Sequence, residues 1–220
     1  MRKLTRNVAL AAAAAATAIG MTATPALAAN WNVTNGGSFT ASNVGILIAQ
    51  DLNTGATVTC DTGSASGSTT NGSYATGANI ASVSGISFGD TTTPDGNCVA
   101  PGSLTAALDA QNLPWHLNAD TEDANHVVSG TLTGIKAQLT DSSGCKANIT
   151  GPGGGTGTIE GNYDNGDGSL WVTGGNLIVH SFVSGTEQNC DPTLIQPGDE
   201  IFLDGVFQIN GTAPGIHLGH

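Results

Sequence analysis

The stretch that decides the fold is Ile201-Phe202-Leu203-Asp204-Gly205-Val206-Phe207-Gln208-Ile209. Large apolar side chains recur at every second position, except at Gly205, where we expect the core face to be crowded. The polar side chains of the stretch, Asp204 and Gln208, both lie at the intervening positions. A period of two is typical of a β-strand with one buried and one exposed face. This segment therefore predicts a sheet that covers a hydrophobic core.

Shorter segments of the same kind recur along the chain and are separated by Gly-, Asn- and Asp-rich turns. The clearest of them span residues 31–34, 38–41, 44–49, 80–88, 156–163 and 169–172. About a dozen short strands with closely spaced turns predict an all-β protein, either an antiparallel β-sandwich or a β-barrel. Residues 104–113 fit both a helical spacing and a strand alternation, and we favour the strand.

Glycine and serine mark the irregular parts of this pattern. The polar, Gly/Ser-rich residues 61–77 are typical of a loop, whereas residues 164–168, Asp-Asn-Gly-Asp-Gly, predict a hairpin turn. Between residues 126 and 140 the apolar positions change parity. A β-bulge at Gly134 would restore one buried face to that strand.

The first 28 residues differ from the rest of the chain. A basic start is followed by an Ala-rich apolar run over residues 8–21 and by Pro25-Ala26-Leu27-Ala28. This pattern predicts a secretory signal peptide over residues 1–28. Residues 29–220 would form a single β-rich domain, with two tightly packed halves near 29–120 and 121–220 as the alternative. The mature protein is expected to be extracellular or associated with the cell surface.

Charge restricts the partners of the mature chain. After residue 28 only Lys136 and Lys146 remain, and two lysines against 17 carboxylates give a formal charge of −15. Nucleic acids and anionic membranes are recognised through clustered Lys and Arg, so we expect neither as a partner. Neutral ligands, self-association and binding to a cell-surface polymer remain open.

Four cysteines, an even number, predict two disulfide bonds in an exported chain. They are Cys60, Cys98, Cys145 and Cys190. Of the three pairings, we favour Cys60 with Cys98 and Cys145 with Cys190, because each pair brackets one compact group of strands.

Residues with catalytic potential do not form a recognisable motif. No G-x-S-x-G segment occurs, and no two of the five histidines show metal-ligand spacing within one strand or helix. A glycosidase would need two facing carboxylates, for which Glu160 and Glu200 are candidates. We therefore expect no catalytic residues and no cofactor, and an enzyme that acts on extracellular polysaccharide is the third of three functional hypotheses.

Two groups of residues have side chains that are chemically suited to bind a ligand. Asn162, Asp164 and Asp167 place oxygen ligands for calcium around a turn, although the EF-hand spacing is not met, and a plain turn explains them more simply. Trp115, Tyr163 and Trp171 could form a binding face for a neutral carbohydrate. Burial in the core is the competing explanation for these aromatic residues.

Two resemblances are carried by short segments. Residues 31–37 (Trp-Asn-Val-Thr-Asn-Gly-Gly) and 161–163 (Gly-Asn-Tyr), with the Ala-rich start and paired cysteines, resemble secreted Thr/Gly-rich proteins of actinobacteria. Residues 86–145, with Ile-Ser-Phe-Gly, Asn112-Leu113-Pro114-Trp115 and two cysteines, are similar to the exported alkane-oxidation activator proteins. That family is associated with biofilm surfaces and assembly, which implies a structural role rather than catalysis.

The leading functional hypothesis is a secreted, non-enzymatic β-protein that acts in adhesion or assembly at the cell surface or in the medium. Polar strands with few charged side chains and exposed edges favour self-association. The alternative is an extracellular binding module for a neutral ligand, either a carbohydrate or a small apolar molecule.

Overall fold

A computed structural model describes residues 30–219, and the predicted signal peptide lies outside these residues. Seventeen β-strands and three single 3-10 turns form the described chain, which contains no α-helix. All of its strand pairs are antiparallel, and the all-β prediction is confirmed. No helix in residues 30–219 is long and apolar enough to cross a membrane.

The first nine strands lie in the first half of the chain. They are β1 (Trp31–Thr34), β2 (Gly37–Asn43), β3 (Leu47–Asp51), β4 (Thr57–Cys60), β5 (Thr62–Thr69), β6 (Gly72–Tyr74), β7 (Ala81–Gly89), β8 (Cys98–Ala100) and β9 (Leu104–Gln111).

Eight strands follow and include the two longest. They are β10 (Trp115–Glu122), β11 (Val127–Asp141), β12 (Lys146–Thr150), β13 (Gly157–Asp164), β14 (Ser169–Gly175), β15 (Leu177–Phe182), β16 (Glu200–Ile209) and β17 (Gly215–Leu218).

Fourteen of these strands form one sheet that closes on itself twice. The first circuit runs β2–β5–β7–β10–β11–β13–β14–β16 and returns to β2. The second runs β3–β4–β8–β9–β11–β12–β15–β16 and returns to β3. Pairing that returns to its starting strand is a property of a barrel rather than of an open sandwich.

Two long strands, β11 and β16, belong to both circuits. The first part of β11 pairs with β10 and β13, and its last six residues pair with β9, four of them also with β12. The register shifts between Thr133 and Ile135, around Gly134 at φ +88°. The predicted bulge is therefore present, and it marks the point where β11 passes from one circuit to the other.

Residues 201–209, with their alternating apolar side chains, form β16 together with Glu200. Its first residues pair with β3 and β15, and its last residues pair with β2 and β14. Gly205 faces a crowded core as expected, since a Cβ there would lie 2.4 Å from Leu47 Cδ2. Residues 104–111 form strand β9, in agreement with the favoured alternation.

The loop predicted for residues 61–77 was wrong. Most of this segment forms β5 and β6, and β5 pairs with β7 along its whole length and with β2 over residues 64–69. Small inward residues such as Ala65 and Gly67 fit a narrow interior, while serines on the outer face bond across strands, as Ser64 Oγ does to Ser87 Oγ at 2.8 Å. Because its side chains are short and polar, the sequence pattern does not predict β5 as a strand. With β5 and β6, the chain has more strands than the predicted dozen.

A separate three-stranded sheet, in the order β17–β1–β6, packs against one end of the first circuit. Trp31, Val33 and Ile216 of this small sheet are buried in one cluster with Val128 and Tyr163 of the large sheet. This contact closes that end of the first circuit with apolar side chains.

Both predicted disulfides form with the favoured pairing. Cys60–Cys98 joins β4 to β8, whose only ladder pair among the described residues is Thr59 with Val99. Cys145–Cys190 joins the β11–β12 turn to the segment that precedes β16. The first disulfide thus reinforces the shortest strand pairing of the second circuit.

Candidate functional site

The two circuits enclose a continuous apolar cavity of about 270 Å³. Side chains from both circuits line it, including Val83, Leu117, Leu132, Leu139, Leu203 and Phe207. Its surface is almost entirely apolar, and neither lysine contributes to it. An apolar cavity of this kind stays dry when empty and accepts apolar guests.

Small inward residues leave this space unfilled. Ala65 on β5, Ala106 on β9 and Ala137 on β11 all line the cavity, at positions where larger side chains would fill a barrel interior. Alanines at these positions resemble low-complexity sequence. The alternation of apolar and polar residues therefore does not by itself predict an interior space. The cavity follows from side-chain volume, which a hydrophobic pattern does not reveal.

The cavity end within the second circuit is bordered by residues 191–199. Leu194 and Ile195 of this segment line the cavity, and Thr54 Oγ1 donates to the Leu194 carbonyl at 3.0 Å. The N–H of Gly198 donates to the Val179 carbonyl at 2.7 Å. These bonds hold residues 191–199, which we call the 191–199 segment, against the barrel, with Leu194 and Ile195 lining the cavity.

Two buried carboxyl groups meet where the 191–199 segment contacts β3: Asp51 ends β3, and Asp199 ends the segment. Asp51 and Asp199 are only 5% and 7% exposed. Burial, followed by the contact with Asp51, raises the pKa of Asp199 above its ordinary value of 3.8. Asp51 Oδ2 is buried and accepts no bond from any donor of the described residues. A protonated Asp199 carboxyl group would donate to this oxygen, which agrees with the direction of its pKa shift.

The predicted aromatic residues do not share one face. Trp115 is 4% exposed, lines the cavity, and its Nε1 donates to the Gln111 carbonyl at 2.8 Å. Tyr163 also lines the cavity, and its hydroxyl donates to the Pro214 carbonyl at 2.7 Å. Burial raises the pKa of Tyr163 to about 12. Trp171, by contrast, is 54% exposed on the outer surface.

Comparison with known families gives one result. Residues 1–193 match the family model described as alkane oxidation protein activator PraA/PraB-like. The chain belongs to this family. No curated protein and no solved structure matches it.

Membership in the PraA/PraB-like family confirms the resemblance that residues 86–145 suggested, over a much longer part of the chain. The resemblance to actinobacterial proteins stays a prediction. Strands β16 and β17 lie beyond the matched residues, although β16 closes both circuits and β17 supports the small sheet.

A shallow polar groove lies on the outer face of β10, β11, β13 and β14. Asp120, Thr131, Glu160 and Asn162 line it, and Asn162 pairs across strands with the exposed Trp171. Glu200 is not among the residues of this groove, so the structure does not bring Glu160 and Glu200 into one cleft.

The candidate calcium ligands carry out local structural roles. Asp164 Oδ1 accepts the N–H of Gly166 at 2.7 Å, and Asp167 Oδ1 accepts the N–H of Ser169 at 2.8 Å. Asn162 Oδ1 accepts from Ser129 Oγ at 2.8 Å. The two aspartate bonds stabilise the predicted hairpin between β13 and β14, which is formed, and the Asn162 bond joins β13 to β11.

Proposed function

We propose that this protein is an exported, non-enzymatic carrier that binds a small, uncharged, apolar molecule inside its β-barrel. The molecule would be of the hydrocarbon type, and the 270 Å³ cavity is the observation that carries the proposal. We therefore favour the binding module, which was the alternative hypothesis, over an adhesive or assembly role.

The size of the cavity supports a ligand. At the roughly 24 cal/mol per Å³ found for truncated cores, an unfilled volume of 270 Å³ corresponds to about 6 kcal/mol of forgone stability. That is comparable to the whole stability of a small domain. Engineered cavities of roughly 150 Å³ already bind benzene. A chain that keeps a larger space in its core gains from it only if something fills it.

The chemistry of the lining restricts the ligand class. Cavity walls made of aliphatic and aromatic side chains reward the burial of apolar surface, at about 25 cal/mol per Å². An anionic ligand would be buried without a counterion, because both lysines lie outside the cavity. The name of the family refers to the activation of alkane oxidation. A protein that presents a hydrocarbon in water would serve such a process.

Displacement of a neutral fluorescent probe tests this proposal. N-phenyl-1-naphthylamine is uncharged and brightens in apolar surroundings, so we expect binding to the mature chain and displacement by linear alkanes. Ala65→Leu adds three heavy atoms to a side chain that lines the cavity and should weaken probe binding at least tenfold. Ser64→Leu adds the same side chain to the outer face of β5 and is the matched control.

A second pair of variants, on β11, tests whether the loss of probe binding in Ala65→Leu comes only from a local defect in β5. Ala137→Leu narrows the cavity from β11, and Gln138→Leu changes the neighbouring outward position on the same strand. Loss of binding in both inward variants, with binding kept in both outward variants, supports an interior site. Equal effects of inward and outward variants, or absence of probe binding to the wild type, would contradict it.

Assembly at the cell surface is the second candidate, and exposed apolar loops favour it. Val44, Ile46 and Leu52, on either side of β3, are 54–59% exposed. Closed pairing opposes assembly through strand edges, since each strand of the large sheet in residues 30–219 has at least two partner strands. Sedimentation velocity over a dilution series separates the candidates. Growth with concentration that Ile46→Ser abolishes would support assembly through these loops.

A further inference from the structure

Three ligand-type side chains converge outside the cavity, at the junction of the small sheet with the β10–β11 hairpin. Glu122 ends β10, His126 lies in the hairpin turn, and His217 lies on β17. Their donor atoms all lie within 4.8 Å of one another. Nδ1 of His126 and Nδ1 of His217 are each 2.9 Å from the same carboxylate oxygen, Glu122 Oε1.

We propose that Glu122, His126 and His217 form a binding site for zinc or a similar divalent transition-metal ion. Two imidazoles and one carboxylate are ligands that zinc takes in proteins, at about 2.0–2.2 Å from the metal. Around a tetrahedral ion such ligand atoms lie about 3.3 Å apart, so the observed 2.9 Å needs to open only slightly. Three protein ligands leave one position for water.

The carboxylate is already oriented for this role. The side chain of Glu122 is only 8% exposed, and its Oε2 accepts the N–H of Leu218 at 2.6 Å, which turns Oε1 towards both imidazoles. Both carboxylate oxygens of Glu122 thus have partners within the site, which fixes the orientation of the group.

One side chain fixes the backbone on both sides of the site. Asn165 Nδ2 donates to the His126 carbonyl and to the Ile216 carbonyl, each at 2.8 Å, and Asn165 Oδ1 accepts the Ile216 N–H at 2.7 Å. The two histidines are thus positioned by one amide from the β13–β14 turn. Supporting bonds of this kind are what metal sites use to hold their ligands.

Neither the family match nor ligand spacing in the sequence reveals this site. His217 lies beyond the matched residues 1–193, and 95 residues separate it from Glu122. The imidazoles also leave hard cations at a disadvantage, because calcium and magnesium prefer oxygen ligands only. The strong negative charge of the chain attracts cations of either kind, so selectivity has to come from the two histidines.

Titration calorimetry with zinc chloride on the mature chain, free of any histidine tag, tests the site. We expect one zinc ion per chain and, with cobalt, the visible absorption of a tetrahedral complex. His217→Gln keeps an N–H donor for Glu122, and His126→Asn suits the left-handed backbone at φ +65°. Each should weaken zinc binding about 100-fold or more, since even changes to supporting residues cost roughly 10–100-fold.

His180→Gln, an exposed histidine on β15, is the matched control and should bind zinc like the wild type. Zinc should also raise the unfolding temperature of the wild type and of this control, but not of the two site variants. Circular dichroism shows whether each variant is folded. If one of the two histidine variants does not fold, the other still tests the site. Absence of zinc binding to the wild type, or equal loss in His180→Gln, would overturn the proposal.

Discussion

Gly67 of β5 lies directly against the backbone of Ser82 on β7: a Cβ at Gly67 would be 2.2 Å from the Ser82 carbonyl oxygen. It would also lie 2.5 Å from Phe39 Cζ on β2. Strands on both sides of β5 therefore leave no room for a side chain at this position. The contact explains why a segment that resembles a loop is a strand of the first circuit.

Gly67→Ala is expected to destabilise the protein by about 2–3 kcal/mol, because a backbone atom cannot move aside as a flexible side chain would. Urea unfolding of the oxidised protein measures the change. Ser68→Ala on the same strand removes only an exposed hydroxyl and should stay within about 0.5 kcal/mol of the wild type. Similar stability of both variants would show that β5 is not packed as described.

Removal of the Cys60–Cys98 disulfide, by replacing both cysteines with alanine, should cost about 4 kcal/mol. Its sequence separation is 38, and the chain-entropy relation gives a value of this size for such a loop. The Cys145–Cys190 disulfide, with a separation of 45, should cost a similar amount.

Hydrogen exchange distinguishes the two disulfides. Only loss of Cys60–Cys98 should speed exchange of the amides of β4 and β8, which share a single ladder pair. Uniform exchange in both double variants would contradict a local role for this disulfide.

Asp199 gives the stability a specific pH dependence. Its pKa is raised in the folded state, so the folded protein holds a proton that the unfolded chain releases. The contribution is present below the ordinary pKa of 3.8 and is lost as the pH rises through the higher folded value. Asp199→Asn keeps an oxygen for the Gln196 N–H and should be more stable than the wild type at pH 7.

Thermal unfolding between pH 4 and pH 8 checks this dependence. The stability difference between Asp199→Asn and the wild type should grow over that range. Asp204→Asn, an exposed residue of β16, should follow the wild type at each pH. A variant at Asp199 that is less stable at pH 7 would show that the carboxylate is needed there.

The cavity predicts opposite effects of one substitution on stability and on binding. Ala65→Leu fills part of an empty apolar space and should stabilise the ligand-free protein by about 1 kcal/mol while it weakens probe binding. Differential scanning calorimetry without ligand measures the first effect. A large loss of stability would instead mean that the space around Ala65 is already filled.

Local sequence rules predicted much of the fold. The alternation in β16, the turn at residues 164–168 and the bulge at Gly134 depend on neighbouring residues, and the structure confirms them. The pairing of Cys60 with Cys98 could also be favoured, because each disulfide encloses one group of strands. Closure into two circuits could not be predicted, since it depends on which distant strands meet.

The sites depend even more on distant contacts. His126 and His217 come from a turn and a strand that meet only when β17 joins the small sheet. Ala65, Ala106 and Ala137 reveal an interior space only when three strands face the same centre. A sequence pattern shows which face of a single strand is buried. A site, in contrast, depends on how several strands are placed relative to one another.

The place of β16 in the chain has a consequence for synthesis. Fifteen strands precede β16 in the chain, and both circuits need β16 to close. Neither circuit is complete until residues 200–209 have been synthesised. Closure of the barrel is therefore a late event, governed by contacts between residues 150 or more positions apart.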